Sequence, residues 1–159
     1  MASEPEPPVM TNIHTSLAIT KEAFAKSEEI GARQTRPRPG GGFVVTWDPN
    51  QTSFKHSLIA IVFAAVYLEA LLYQQGTKLL GRVAYKKVDG KSYEEKLQAL
   101  GVTDQGLLDA AKEFRRARRE LVHEKAHDNT SIRIAQGESA KALALIDRVR
   151  RALRELGKR

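Results

Sequence analysis

SFKHSLIAIVFAAVYLEALLYQQ, residues 53–75, is apolar nearly all round. Leu58, Ile59, Ile61, Val62, Phe63, Val66, Leu68, Leu71 and Leu72 leave little polar face, and a soluble helix of that kind lies at the centre of a bundle. Thr52 or Ser53 is placed to cap its start, and Gly76 to end it. The strongly apolar run, residues 57–73, has seventeen residues, the lower limit for crossing a bilayer. Glu69 interrupts it, and a carboxylate at mid-bilayer is costly. The stretch therefore reads as a buried core helix, with no membrane partner.

Other helices are expected on both sides. Residues 12–32 suit a first helix, with Leu17, Phe24 and Ile30 as apolar markers. Arg36-Pro37-Arg38-Pro39-Gly40-Gly41-Gly42 is a linker by composition. No Lys-Ser or Lys-Thr follows its glycines, so it is no phosphate loop. Residues 43–47 suit one short strand, and Asp48-Pro49-Asn50 a turn. Residues 77–91 read as an irregular connection. Ser92 and Glu95 then form a capping box that opens a short helix to about Leu100, ended by Gly101. Thr103 caps a helix to about Glu124. Residues 125–137 look like a loop with an extended piece at 131–134. A last helix covers 138–156, with Leu143, Ile146, Val149 and Leu153 on one face and Gly157 at its end. The expectation is an all-α fold: an up-and-down bundle of four main helices plus one short helix, with an N-terminal extension.

The chain has 159 residues, 42% of them apolar, which suits one domain with a real core. It has no cysteine, which removes disulfides, Cys-based zinc sites and thiol nucleophiles and fits a cytoplasmic setting. Residues 1–8 are Glu- and Pro-rich rather than basic and then apolar, so they do not read as a signal peptide, and residues 1–10 are expected to be a disordered leader. The net charge of +7 is uneven. Residues 1–110 hold 12 Lys/Arg and 12 Asp/Glu, whereas residues 111–159 hold 14 and 7. A basic third on a neutral body is a candidate polyanion-binding surface, though a pair of solvated amphipathic helices has the same composition. Aromatic residues are too scattered to form a stacking platform.

The helix from Thr103 concentrates that charge. With Phe114 at zero and 100° per residue, Leu107, Ala110, Ala111, Ala117, Leu121 and Val122 share one buried face. Arg118 falls at about 40°, inside the same arc. A core-facing arginine needs a partner, as does Glu69 on its apolar helix, and the two are expected to pair. Arg116, Arg119 and His123 cluster on the opposite side. Histidine moves protons near neutral pH, and arginines hold a phosphodiester. Together they supply the minimum for cleaving RNA through its own 2′-hydroxyl.

The stretch Phe114-Arg115-Arg116-Ala117-Arg118-Arg119-Glu120-Leu121-Val122-His123-Glu124-Lys125 resembles the signature helix of HEPN domains, an arginine followed after four to six residues by a histidine. Arg118 and Arg116 both satisfy that spacing with His123. The helix bearing Glu69 resembles the family's central helix, and the likeness spans about residues 53–156. It divides the chain into a leader (1–10), an N-terminal helix and Pro/Gly-rich loop (11–50) and a HEPN-like helical bundle (51–159). The resemblance implies a metal-independent endoribonuclease without cofactors. Such a protein is a homodimer with motifs from both chains in one basic cleft, and often a toxin with a protein antitoxin, or a defence protein. His123 would be the acid–base group, Arg118 or Arg116 the phosphate ligand and Arg119 an auxiliary cation. Glu69 would orient the site, and Arg115 and Lys125 would bind RNA. Many active members carry Asn, Asp or His where Arg119 stands, so a non-catalytic RNA- or protein-binding module is the alternative. On an ideal helix Arg118 and His123 are about 140° apart while Arg116 and His123 are nearly in phase. A second alternative is a zinc hydrolase, since His123-Glu124-x-x-His127 has the metalloprotease spacing. Against it, the motif lies at a helix end and no third ligand is apparent.

Overall fold

The computed structural model describes residues 12–46, 48–122 and 134–158. The described chain is predominantly helical. In order it runs α1 (Ile13–Gln34), β1 (Thr35–Pro37), β2 (Phe43–Val45), α2 (Thr52–Leu80), α3 (Arg82–Lys86), α4 (Tyr93–Ala99), α5 (Gln105–Val122) and α6 (Ala135–Leu156). The expected leader, Trp47 and most of the loop before α6 lie outside the described residues.

α1 runs antiparallel to α2 along most of its length. Its Ser27 meets Ser53 and Ser57 near the start of α2, while Ile13 and Leu17 share a cleft with Leu71 and Gln75 near its end. Leu17, Phe24 and Ile30 are only half-buried, and the buried seam of α1 is Ile13, Ser16, Thr20, Ala23 and Ser27. Short side chains let the two helices approach closely. Ile13 joins the main core, so the helical body begins with α1 rather than with α2.

The proline- and glycine-rich segment is a hairpin turn rather than a linker. β1 and β2 pair antiparallel, with Thr35 opposite Val45 and Pro37 opposite Phe43. Gly40, Gly41 and Gly42 all take positive φ to reverse the chain. The turn expected at Asp48-Pro49-Asn50 is present, and Asp48 Oδ2 accepts the Ser53 amide at 3.2 Å. Asp48, not Thr52 or Ser53, thus caps α2. Burial works against its charge, but the amides of Ser53, Thr52 and Asn50 and the Gln34 side chain hold its carboxyl below the usual range. In the same way Asp104 Oδ1, not Thr103, accepts the Leu107 amide at 3.1 Å and caps α5.

α2 is longer than expected and has two faces. Ala60, Ile61, Ala64, Leu68 and Leu72 are buried, whereas Ile59, Val66, Tyr73 and Leu80 are each 38–47% exposed. Among the described residues it is the one helix long and apolar enough to cross a membrane, and half of its most apolar window is buried inside the bundle. Gly76 does not end the helix: it lies inside α2, buried, and Gly81 at φ +80° is the terminator. The ring of Tyr85 on α3 rests on Gly76, and a Cβ there would meet Tyr85 Cε2 at 2.1 Å. That packing converts the expected irregular connection into a helical turn folded back on α2, with Tyr73 edge-on to Tyr85 at 5.8 Å. The capping box at Ser92 and Glu95 and the stop at Gly101 are as expected. α6 begins at Ala135, three residues before the expected start at Glu138.

Gly76→Ala puts a methyl into a fully buried ring. Overpacking of this kind costs about 1–3 kcal/mol, and the methyl recovers only about 1 kcal/mol of helix propensity. The variant is expected to unfold at lower urea than the parent; an equal or higher midpoint would show that Tyr85 is not held against α2.

Candidate functional site

α4 is short, and its inward face carries Tyr93, Lys96, Leu97 and Leu100 at helical spacing. Ser92 anchors its start, donating its amide to Glu95 Oε2 at 2.9 Å. Lys96 is only 3% exposed. A buried ammonium must be paired, and Nζ meets Glu69 Oε2 at 2.5 Å with Asp89 Oδ1 at 3.8 Å. Glu69 is half-exposed, so α2 carries it at the edge of its outer face.

The partner of Glu69 is therefore Lys96, not Arg118. The error arose from placing Arg118 in the buried arc of α5. At 40° from Phe114 it lies at the arc's edge, near the helix end, where Val122 is also exposed. A long arginine stem carries its head group out to water from such a position. Arg118 is exposed, and its Nη1 donates to the Tyr93 hydroxyl at 3.4 Å. The Tyr93 ring is buried against Phe114, with centroids 5.9 Å apart. Burial and the nearby Glu69 carboxylate push the Tyr93 phenol up, and Arg118 pulls it down. Glu69, Lys96, Tyr93 and Arg118 thus form one polar strip from α2 across α4 to the end of α5.

The remaining arginines of α5 divide into engaged and free. Arg115 binds Glu94 of α4, with Nη2 to Oε1 at 2.6 Å, which ties the two helices together. Burial opposes the Glu94 charge, yet Arg115, Ser92 and its own amide hold the carboxyl below the usual range. Arg116 pairs with Glu120 one turn on, Nε to Oε1 at 2.9 Å. Arg119 is exposed and has no ion-pair partner among the described residues. His123, Lys125 and the spacing His123-Glu124-x-x-His127 lie outside the described residues. Among the described residues no group of three or more His, Asp or Glu is gathered as metal ligands would be.

The sequence reading missed Lys96 and Tyr93. Their signal was present: Tyr93, Lys96, Leu97 and Leu100 follow an i, i+3, i+4, i+7 pattern, which puts a lysine on an apolar face just as Glu69 interrupts α2. Compared with protein-family models, curated proteins and solved structures, the chain matches none.

The Glu69–Lys96 pair should respond asymmetrically to substitution. Removing the Glu69 charge leaves the buried ammonium with Asp89 alone, whereas Lys96→Met leaves carboxylates that water reaches. Glu69→Gln is expected to cost about 2 kcal/mol, less than a fully buried pair because Glu69 is half-exposed. Lys96→Met is expected to cost less than about 1.5 kcal/mol. Urea melts in which Lys96→Met proves the more damaging would contradict this assignment.

Proposed function

We propose that the chain is a metal-independent endoribonuclease of HEPN type, working as a homodimer. The observation that carries this reading is the cationic end of α5. Arg118 is steadied by the buried Tyr93, Arg119 stands free beside it, and His123 follows Val122, the last described residue of α5, in the sequence. In this mechanism an arginine holds the scissile phosphate and neutralises the charge that builds on its oxygens. The RNA 2′-oxygen attacks phosphorus and gives up its proton, and the bond to the 5′-oxygen breaks as that oxygen gains one. His123 handles one of these protons. The products are a 2′,3′-cyclic phosphate and a 5′-hydroxyl. Arg118 and Arg119 suit the phosphate better than Arg115, whose guanidinium is held by Glu94. Arg116 is in reach of RNA once it leaves Glu120, a surface pair of small strength. Glu69 acts at one remove, by holding Lys96 and so α4 and Tyr93. A toxin or defence role with a protein antitoxin, and a cytoplasmic setting, belong to the same proposal.

The outer face of α2 suits a second copy. Ile59, Val66, Tyr73 and Leu80 recur every seven residues, the repeat that keeps a seam facing a neighbouring helix. A twofold axis crossing α2 between residues 69 and 70 sets Ile59 opposite the partner's Leu80 and Val66 opposite the partner's Tyr73. It also brings the two Glu69 side chains, each neutralised by its Lys96, to either side of the axis. The two polar strips then approach one another, as a shared cleft requires. Light scattering is expected to give a dimer at micromolar concentration and a monomer for Val66→Lys; a monomeric parent would count against the shared cleft.

The activity test is incubation of the purified protein with total RNA and tRNA in EDTA, beside His123→Ala. Cleavage that leaves 2′,3′-cyclic ends, survives EDTA and disappears in the variant is expected. Absence of cleavage in both proteins would favour a non-catalytic RNA- or protein-binding module, and cleavage or hydrolysis only with added zinc would favour the hydrolase reading of His123, Glu124 and His127.

A further inference from the structure

A second site lies where the start of α1, the C-terminal half of α2 and the last turns of α6 enclose a cleft of about 250 Å³. Its floor is apolar, with Leu17, Leu71 and Leu153 among the lining residues. Arg150 and Arg154, one turn apart on α6, line it from one side, and Gln74 and Gln75 from another.

Two features separate this cleft from an ordinary surface groove. First, its arginines have no carboxylate partner among the described residues; Arg154 Nε donates only to the Arg150 carbonyl, at 3.3 Å. Four other cations on α5 and α6 are paired with carboxylates, in Arg115–Glu94, Arg116–Glu120, Lys141–Glu138 and Arg148–Asp104. Second, Tyr67 lines the cleft while only 4% exposed, and its hydroxyl has no hydrogen-bond partner among the described residues. At a cleft wall such a hydroxyl is open to bond a ligand in place of water. Burial pushes this phenol up, and Arg150 and Arg154 pull it down against Asp147.

We propose that this cleft binds a small organic phosphate of nucleoside-monophosphate type, its phosphate held by Arg150, Arg154 and the Tyr67 hydroxyl. Paired guanidinium forks match phosphate geometry. The apolar floor receives a flat, weakly polar body, and the amides of Gln74 and Gln75 offer both donors and acceptors to its edge. Drug-sized ligands occupy about 300–1,000 Å³, so a cleft of this volume takes only a small one. The proposal does not rest on the ribonuclease reading, since none of these residues belongs to the strip from Glu69 to Arg118.

The test is an amide NMR titration of the isotopically labelled full chain with AMP, adenosine and inorganic phosphate in turn. AMP is expected to give saturable shifts in the first turns of α1 and around residues 150–154, with adenosine and inorganic phosphate weaker by about tenfold, or about 1.4 kcal/mol. Arg150→Gln/Arg154→Gln is expected to abolish saturation while keeping a dispersed, folded spectrum. Tyr67→Phe should weaken AMP severalfold; should either variant misfold, Arg150→Gln alone is the substitute. No saturable shift with AMP at millimolar concentration, or shifts that persist unchanged in the arginine variant, would overturn the proposal. Equal affinity for AMP and inorganic phosphate would overturn the assignment of an organic ligand.

Discussion

Short side chains set the distance between α1 and α2, and the rest of the bundle is arranged around that close pair. Ser16, Thr20, Ala23 and Ser27 make the buried seam of α1, and Ser57, Ala60 and Ala64 are buried on α2. Hydroxyls are costly to bury without partners, and three of these have them: Thr20 Oγ1 donates to the Ser16 carbonyl at 2.8 Å, and Ser27 and Ser57 share a bond of 2.6 Å. A leucine seam can slide by a turn and still bury oil; a seam of serines bonded across the helices holds one register. With one side of α2 closed in this way, its large side chains Leu68, Leu71 and Leu72 are left to the core shared with α5 and α6.

The polar strip follows from α2 by a series of local fits. Gly76 admits the Tyr85 ring, which folds α3 back against α2. The chain then turns to Ser92, whose capping box starts α4 with Tyr93 and Lys96 inward. Lys96 reaches Glu69, three turns of helix before Leu80 on α2, and so fixes α4 across it. Tyr93 is thereby set beneath α5, with its ring on Phe114 and its hydroxyl at the Arg118 guanidinium. No single link in this series is strong. Each is short-range, and together they determine which arginine on α5 stands over a buried phenol.

Periodicity made the long helices legible, because Leu107, Ala111, Phe114, Ile146 and Val149 repeat at helical spacing and are buried as read. It failed where burial and apolarity part company. Ser16, Thr20 and Ser27 are buried but polar, so α1 looked peripheral. Gly76 was read by its backbone freedom as a stop, whereas its missing side chain is what matters. Asp48, four residues before Thr52, and Asp104, one residue after Thr103, take the first free amides in place of the expected hydroxyls. Of the candidate site, the cluster of arginines on α5 was legible, but their division into engaged and free depends on Glu94 and Tyr93, which come from another helix. Arg118 was misassigned because a 100° step locates a Cβ, not the end of a long side chain.

Where charge is left unpaired also separates two surfaces that composition had merged into one basic third. α6 runs antiparallel to α5: Arg148 meets Asp104 at the start of α5, while Glu138 and Lys141 line a cleft with Phe114 further along it. The free cations Arg118 and Arg119 therefore stand at one end of the α5–α6 pair, and Arg150 and Arg154 toward the other. Between them Arg115, Arg116, Lys141 and Arg148 are matched by carboxylates. The two proposals use separate parts of this pattern: the phosphodiester would be met by Arg118 and Arg119, and the small phosphate by Arg150 and Arg154 over an apolar floor.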